Sequence, residues 1–76
     1  MEQPTLIEEV IDVERKTFFI ELKENPRGRF VRFTEDVRGR RDTIIIPASG
    51  LLDIRDALDR IIDHEETLAP AEEYDD

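Results

Sequence analysis

Polar and apolar residues follow two periods along the chain. Up to Pro47 they alternate in short runs; from Leu51 the apolar residues recur every three or four positions. Alternation is the mark of a strand with one buried face, and the longer spacing is that of an amphipathic helix. The first run, Thr5–Val13, puts Ile7, Ile11 and Val13 on one side and Leu6 and Val10 on the other. Glu8-Glu9 interrupts it and leaves a helix open; β-branched content favours a strand. Lys16–Glu24 reads as a second strand with Phe18, Ile20 and Leu22 inward. Arg29–Glu35 reads as a third, with Val31 and Phe33 on one side and Phe30, Arg32 and Thr34 on the other. Asp42–Pro47 is the fourth. Its Ile44, Ile45 and Ile46 are apolar on both faces, which predicts burial on both sides, by the helix and by a second layer or partner chain. The helical stripe is Leu51, Ile54, Ala57, Leu58, Ile61 and Ile62. Ser49 is the expected N-cap, Asp53 and Asp56 suit the first two turns, and Asp56–Arg60 is an i,i+4 pair.

The breakers agree with these boundaries. Pro4, Pro26, Gly28, Gly39, Pro47, Gly50 and Pro70 all fall between elements. Arg15-Lys16 is read as a short connection and Asp36–Arg41 (DVRGRR) as a polar loop. The expected architecture is α+β: a four-stranded antiparallel sheet with one C-terminal helix, ββββα, the helix laid across one sheet face. Residues 1–4 are expected to fray, residues 5–69 to form the folded unit, and residues 70–76 to be a disordered acidic tail.

Composition narrows this further. Seventy-six residues, 38% of them hydrophobic, allow one domain whose core supplies only about 3–5 kcal/mol unaided. Self-association is therefore expected as a source of stability. The chain has no cysteine, which excludes disulfides and thiolate metal sites, and a single histidine. No metal, cofactor or catalytic triad is expected. His64, near the helix end, suits a solvated or dipole-satisfying role. The many carboxylates single out no catalytic pair, so an enzyme is disfavoured. No long apolar run or basic-apolar leader occurs, and a soluble, cytoplasmic protein is expected.

The net charge of −9 is unevenly spread. Residues 1–14 carry five acids and no base, residues 15–46 nine bases against five acids, and residues 47–76 two bases against ten acids. Positive charge is confined to the middle of the chain, where local field outweighs the total. There, Lys23–Glu35 (KENPRGRFVRFTE) holds the strongest turn signal, Asn25-Pro26-Arg27-Gly28. Pro26 presets φ, Gly28 tolerates positive φ, and Asn25 can close the turn through its own side chain. The non-core face of this hairpin carries Lys23, Arg32 and the ring of Phe30. Cations track phosphates, an exposed ring stacks on an unpaired base, and Asn can bond a base edge. Two readings stand: Phe30 caps the hairpin core among ordinary solvated arginines, or it is a stacking platform. The Asp36–Arg41 segment is likewise either a solvated connection or a phosphate-gripping loop.

KTFFIELKENPRGRFVRFTE, RRDTIIIP and LLDIRDALDRIIDHEETLAP together resemble the Pur repeat of the purine-rich-element-binding (Pur-alpha-like) family, of the bacterial, single-repeat type. The resemblance runs from about Thr5 to Pro70 and is most specific at N-x-R-G-R-F on the hairpin and R-D-x-L in the helix. It implies a ββββα repeat, two of which intertwine into a unit that binds single-stranded DNA or RNA, with a purine-rich preference. A one-repeat chain should then form a homodimer. By the same resemblance the nucleic-acid-binding residues are Lys23, Asn25, Arg27, Phe30, Arg32 and Arg41, with Arg40 as neighbour. The middle residue of the family's K-Q-N is Glu24 here, a negative charge between two expected contacts. A second reading, from another class, is a non-enzymatic dimeric protein-interaction module that uses its acidic surfaces.

Overall fold

A computed structural model describes residues 3–70. Four strands, β1 (Thr5–Val13), β2 (Lys16–Asn25), β3 (Gly28–Val37) and β4 (Arg40–Pro47), are followed by a 3-10 turn at Ala48–Gly50 and one helix, α1 (Leu51–Glu66). The strands form one antiparallel sheet in chain order, β1-β2-β3-β4. The ββββα expectation holds. Most of the expected frayed start (residues 1–2) and acidic tail (residues 71–76) lies outside the described residues. The Pro4 carbonyl accepts the Glu24 N–H at 3.3 Å.

The three strand connections are tight. β1 turns into β2 at Glu14-Arg15, with Glu14 at φ 55, so Lys16 is a strand residue and not part of the connection. Between β2 and β3 the Asn25 side chain closes the turn as expected: its Oδ1 accepts the N–H groups of Arg27 (2.9 Å) and Gly28 (3.1 Å). Gly28 has φ 140, open to it for want of a Cβ. The third connection corrects the sequence reading. DVRGRR is not a loop: β3 runs on to Val37, β4 begins at Arg40, and only Arg38-Gly39 turns, at φ 55 and 87. Two successive positive φ values match the right-handed twist of flanking strands. Asp36 Oδ1 accepts the Gly39 N–H at 2.9 Å and fixes the turn.

Register sorts the side chains. Cross-strand pairs Ile7–Leu22, Ile11–Phe18, Ile20–Phe33, Leu22–Val31, Val31–Ile46 and Phe33–Ile44 put one apolar set on a single face. Phe18 and Phe33 meet edge-on there, centroids 5.9 Å apart. The other face carries Thr5, Val10, Phe19, Glu21, Lys23, Phe30, Arg32, Thr34, Asp36, Arg41, Thr43 and Ile45, by the same pairings. Thr34, 5% exposed, is a buried hydroxyl, and it is satisfied by Thr43 Oγ1 at 3.1 Å.

The helix does not lie across the sheet of its own chain, as the pattern had suggested. α1 meets the rest of the chain chiefly through the 3-10 turn, and its Leu52, Ile54, Leu58, Ile61 and Ile62 remain 39–64% exposed. Ile44 and Ile45, expected to be covered on both sides, are 60% and 58% exposed. Val31 is the one buried hydrophobic side chain among the described residues. The radius of gyration is 14.9 Å, against roughly 11 Å for a compact domain of this size. Periodicity identifies which stripe of a helix is apolar but not what covers it. Ser49 does not cap α1: it lies inside the 3-10 turn, and Gly50 takes the N-cap position without a side-chain bond. Asp56 accepts from its neighbour Arg55 at 3.1 Å, and no bond joins it to Arg60. At the other end, Thr67 donates through its N–H (3.0 Å) and its hydroxyl (2.7 Å) to the His64 carbonyl. Among the described residues no helix is long and apolar enough to cross a membrane.

Candidate nucleic-acid interface

Six of the seven expected contact residues gather on, or at the turn beside, the polar face of the sheet. Lys23, Asn25, Phe30, Arg32 and Arg41 share it by register, and Arg27 sits at the tip of the β2–β3 turn. Arg40 does not join them. It pairs with Val37 on the apolar side and lines a recess of about 380 Å³ with Arg15 and Arg38. Adjacent strand residues point to opposite faces, so Arg40 and Arg41 cannot both serve one surface.

The residues are differently occupied. Lys23 is covered: its side chain is 12% exposed, its Nζ donates to Thr5 Oγ1 at 2.7 Å, and Glu21 lies 4.0 Å away. Thr5 also donates to Glu21 at 3.5 Å, so these three form a closed polar set under the start of β1. Asn25 has committed its Oδ1 to the turn, so its amide NH2 is the part of the side chain left to donate. Arg27 and Arg32 are exposed, and among the described residues neither has an ion-pair partner. Glu21 faces Arg32 across the ladder but is engaged by Lys23 and Thr5.

Phe30 lies opposite Lys23 and Pro47, on the face away from Val31. It is half-buried, and with Asn25, Arg27, Ile45 and Pro47 it lines an open recess of about 610 Å³. It is therefore not part of the apolar set that includes Phe33. Glu24, the expected intruder between Lys23 and Asn25, points to the opposite face, where Arg29 approaches it at 3.5 Å.

Two residues not anticipated from the sequence, Asp36 and Phe19, complete the face around Arg41. Arg41 Nε donates to Asp36 Oδ2 at 2.8 Å, and its guanidinium carbon lies over the Phe19 ring, 5.1 Å from the centroid. The Gly39 N–H, then the bond and charge of Arg41, hold the Asp36 carboxyl below the usual carboxylate range. The signal for Phe19 was available: of two adjacent aromatics in a strand, Phe18-Phe19, one must face away from the core.

The sequence model of the family "PurA ssDNA and RNA-binding protein" matches residues 1–74, and the chain belongs to that family. Among characterised relatives it is 39% identical over 61 residues to Transcription factor Pur-alpha 1 of Arabidopsis thaliana, covering 80% of this chain and 21% of that protein. It is 44% identical over 57 residues to Transcriptional activator protein Pur-alpha of Homo sapiens, covering 66% and 18%. To Purine-rich element-binding protein gamma of Homo sapiens it is 32% identical over 66 residues, covering 70% and 19%. The chain thus spans about a fifth of the length of these relatives.

Proposed function

We propose that this chain binds single-stranded DNA or RNA on the polar face of its sheet, as a homodimer and without a catalytic step. The observation that carries the reading is the pairing, on one surface, of cations not engaged by carboxylates (Arg27, Arg32) with a ring that borders an open recess (Phe30). Cations attract the phosphates, and the ring offers an unpaired base a surface worth about 1–3 kcal/mol. Lys23 and Arg41 contribute from within their own polar sets, and Asn25 donates to a base edge. A purine-rich preference is supported by the name of the relative Purine-rich element-binding protein gamma. The proposed setting is the cytoplasm.

The homodimer is supported by what one chain leaves uncovered. Ile7, Ile11, Val13 and Ile44 on the sheet, and Leu58, Ile61 and Ile62 on the helix, are exposed. An apolar sheet face and an apolar helix stripe, each lacking a cover, are satisfied together when α1 of each copy lies on the sheet of the other.

A gel-shift or filter-binding titration with purine-rich, pyrimidine-rich and duplex oligonucleotides at several salt concentrations tests the function. The expected result is tighter binding of single strands than of duplex, with log K falling against log salt by about 0.7 per phosphate contacted. No single-strand binding at low salt, together with capture of a basic polypeptide, would favour the protein-interaction reading of the acidic surfaces.

A further inference from the structure

Resting on the nucleic-acid reading above, the geometry points to a second base-stacking platform on the polar face: the Arg41 guanidinium, backed by the Phe19 ring and positioned by Asp36. Three observations carry it. First, the charge of Arg41 is largely spent, because Asp36 Oδ2 sits 2.8 Å from Nε. A cation so compensated adds little attraction for a phosphate, whereas its flat face remains usable; guanidinium planes stack on aromatic rings and on bases alike. Second, the side chain is open outward. Arg41 is 61% exposed while its partner Asp36 is 18% exposed, and the guanidinium carbon lies over the half-buried Phe19 ring, 5.1 Å from its centroid. Third, the arrangement is fixed from both ends of the carboxylate. Asp36 Oδ1 is held by the Gly39 N–H of the turn and Oδ2 holds Arg41, so the tight Arg38-Gly39 turn orients the guanidinium.

The platform is in line with the first one. Phe19 faces Thr34 in the ladder, four residues along β3 from Phe30, and Arg41 faces Asp36, six residues along, with Arg32 in between. At about 3.4 Å per residue the two platforms stand roughly 14–20 Å apart with a cation outside any described ion pair between them. An extended single strand laid along β3 would meet a ring, a cation and a guanidinium in turn. Asp36 is a positioning residue here, since it acts through Arg41, and Phe19 supports the plane from below.

The test uses the full chain and short purine-rich single strands in which 2-aminopurine is placed at each position in turn, because stacking quenches its fluorescence. Arg41→Lys keeps the charge and loses the plane. It is expected to weaken binding about tenfold with the salt slope unchanged, and to abolish quenching at a position that Phe30→Ala leaves quenched. Phe19→Leu keeps the apolar volume and is expected to weaken binding about two- to fivefold. Asp36→Asn removes a negative charge from a polyanion-binding face, yet on this proposal binding weakens because Arg41 loses its anchor. Unchanged affinity of Arg41→Lys would return Arg41 to a plain phosphate contact. Tighter binding by Asp36→Asn, or by Arg41→Ala, would mean that the pair shields Phe19; either result overturns the platform. If the wild-type chain binds no single strand at low salt, platform and nucleic-acid reading fall together, an outcome distinct from the others.

Discussion

The two faces of this sheet are made by alternate residues of the same four strands, yet they differ in how complete they are. The apolar face gathers Ile7, Ile20, Leu22, Val31, Phe33 and Ile44, and of these only Val31 is buried. On the polar face the side-chain bonds already close on themselves: Lys23 with Thr5 and Glu21, Thr34 with Thr43, Arg41 with Asp36. One face leaves most of its apolar side chains uncovered; the other is held by its own side-chain bonds and is left with two cations outside any ion pair among the described residues and two rings. Fixing charged groups in advance lowers the cost of ordering them when a ligand arrives. On the proposed reading, assembly and recognition are carried by opposite faces and should respond to different substitutions.

That separation is most sharply tested on the apolar face. Phe33→Ala removes a ring that meets Phe18 edge-on, and should cost about 3–5 kcal/mol of folding stability by denaturant titration. Wild-type sedimentation should give a dimer at micromolar concentration, with an unfolding midpoint that rises with protein concentration; Leu58→Asp on the helix stripe should abolish both. A folded, concentration-independent monomer would break the comparison at its root. Next comes the matching ring on the other face. Phe30→Ala should lose about 1–3 kcal/mol of oligonucleotide binding at an unchanged salt slope, while its denaturant midpoint moves far less than that of Phe33→Ala. A stability loss equal to that of Phe33→Ala would place Phe30 in the core after all. Arg32→Ala is a subtler change: the salt slope should flatten by about 0.7, with little dependence on base identity. The smallest effect concerns Asp36. Its folded pKa lies below the usual value, so its contribution is present above the ordinary Asp value of about 3.9 and is lost as pH falls through the lower folded value. Wild type and Asp36→Asn should differ in thermal midpoint by a constant amount from pH 7 to 5 and converge in more acid solution. A gap that persists at the lowest pH would show that the carboxylate charge is not what holds the turn.

Much of this arrangement is legible in the residue pattern, and the misses have physical causes. Alternation around Asn25-Pro26-Arg27-Gly28 places Lys23, Phe30 and Arg32 together because strand period leaves no other choice. DVRGRR reads as a loop because its charges mask a ladder, and backbone pairing from Asp36–Arg41 to Val37–Arg40 overrides that composition. Arg40 accompanies Arg41 in the chain but faces away from it, a distinction that appears only once the turn is known to take two residues. Ser49 has the chemistry of a cap, but the 3-10 turn shifts the helix start by one residue, to a Gly50 cap. The carboxylate that holds Arg41 could not be inferred from spacing, since Asp36 and Arg41 become cross-strand neighbours only in this register.

The plain strand order β1-β2-β3-β4 bears on how the molecule comes into being. Every strand pairs with its neighbour in sequence across a short turn, so the sheet closes through local contacts, and low contact order goes with fast folding. Hairpins of this kind form in roughly 1–10 μs. The helix has no such local target, because its stripe stays exposed on its own chain. On the dimeric reading, folding therefore splits into a rapid zipping that each chain completes alone and a slower encounter whose rate depends on how many copies are present. At low expression the sheet would form and wait with its apolar face open, and abundance itself would set how fast this small chain matures.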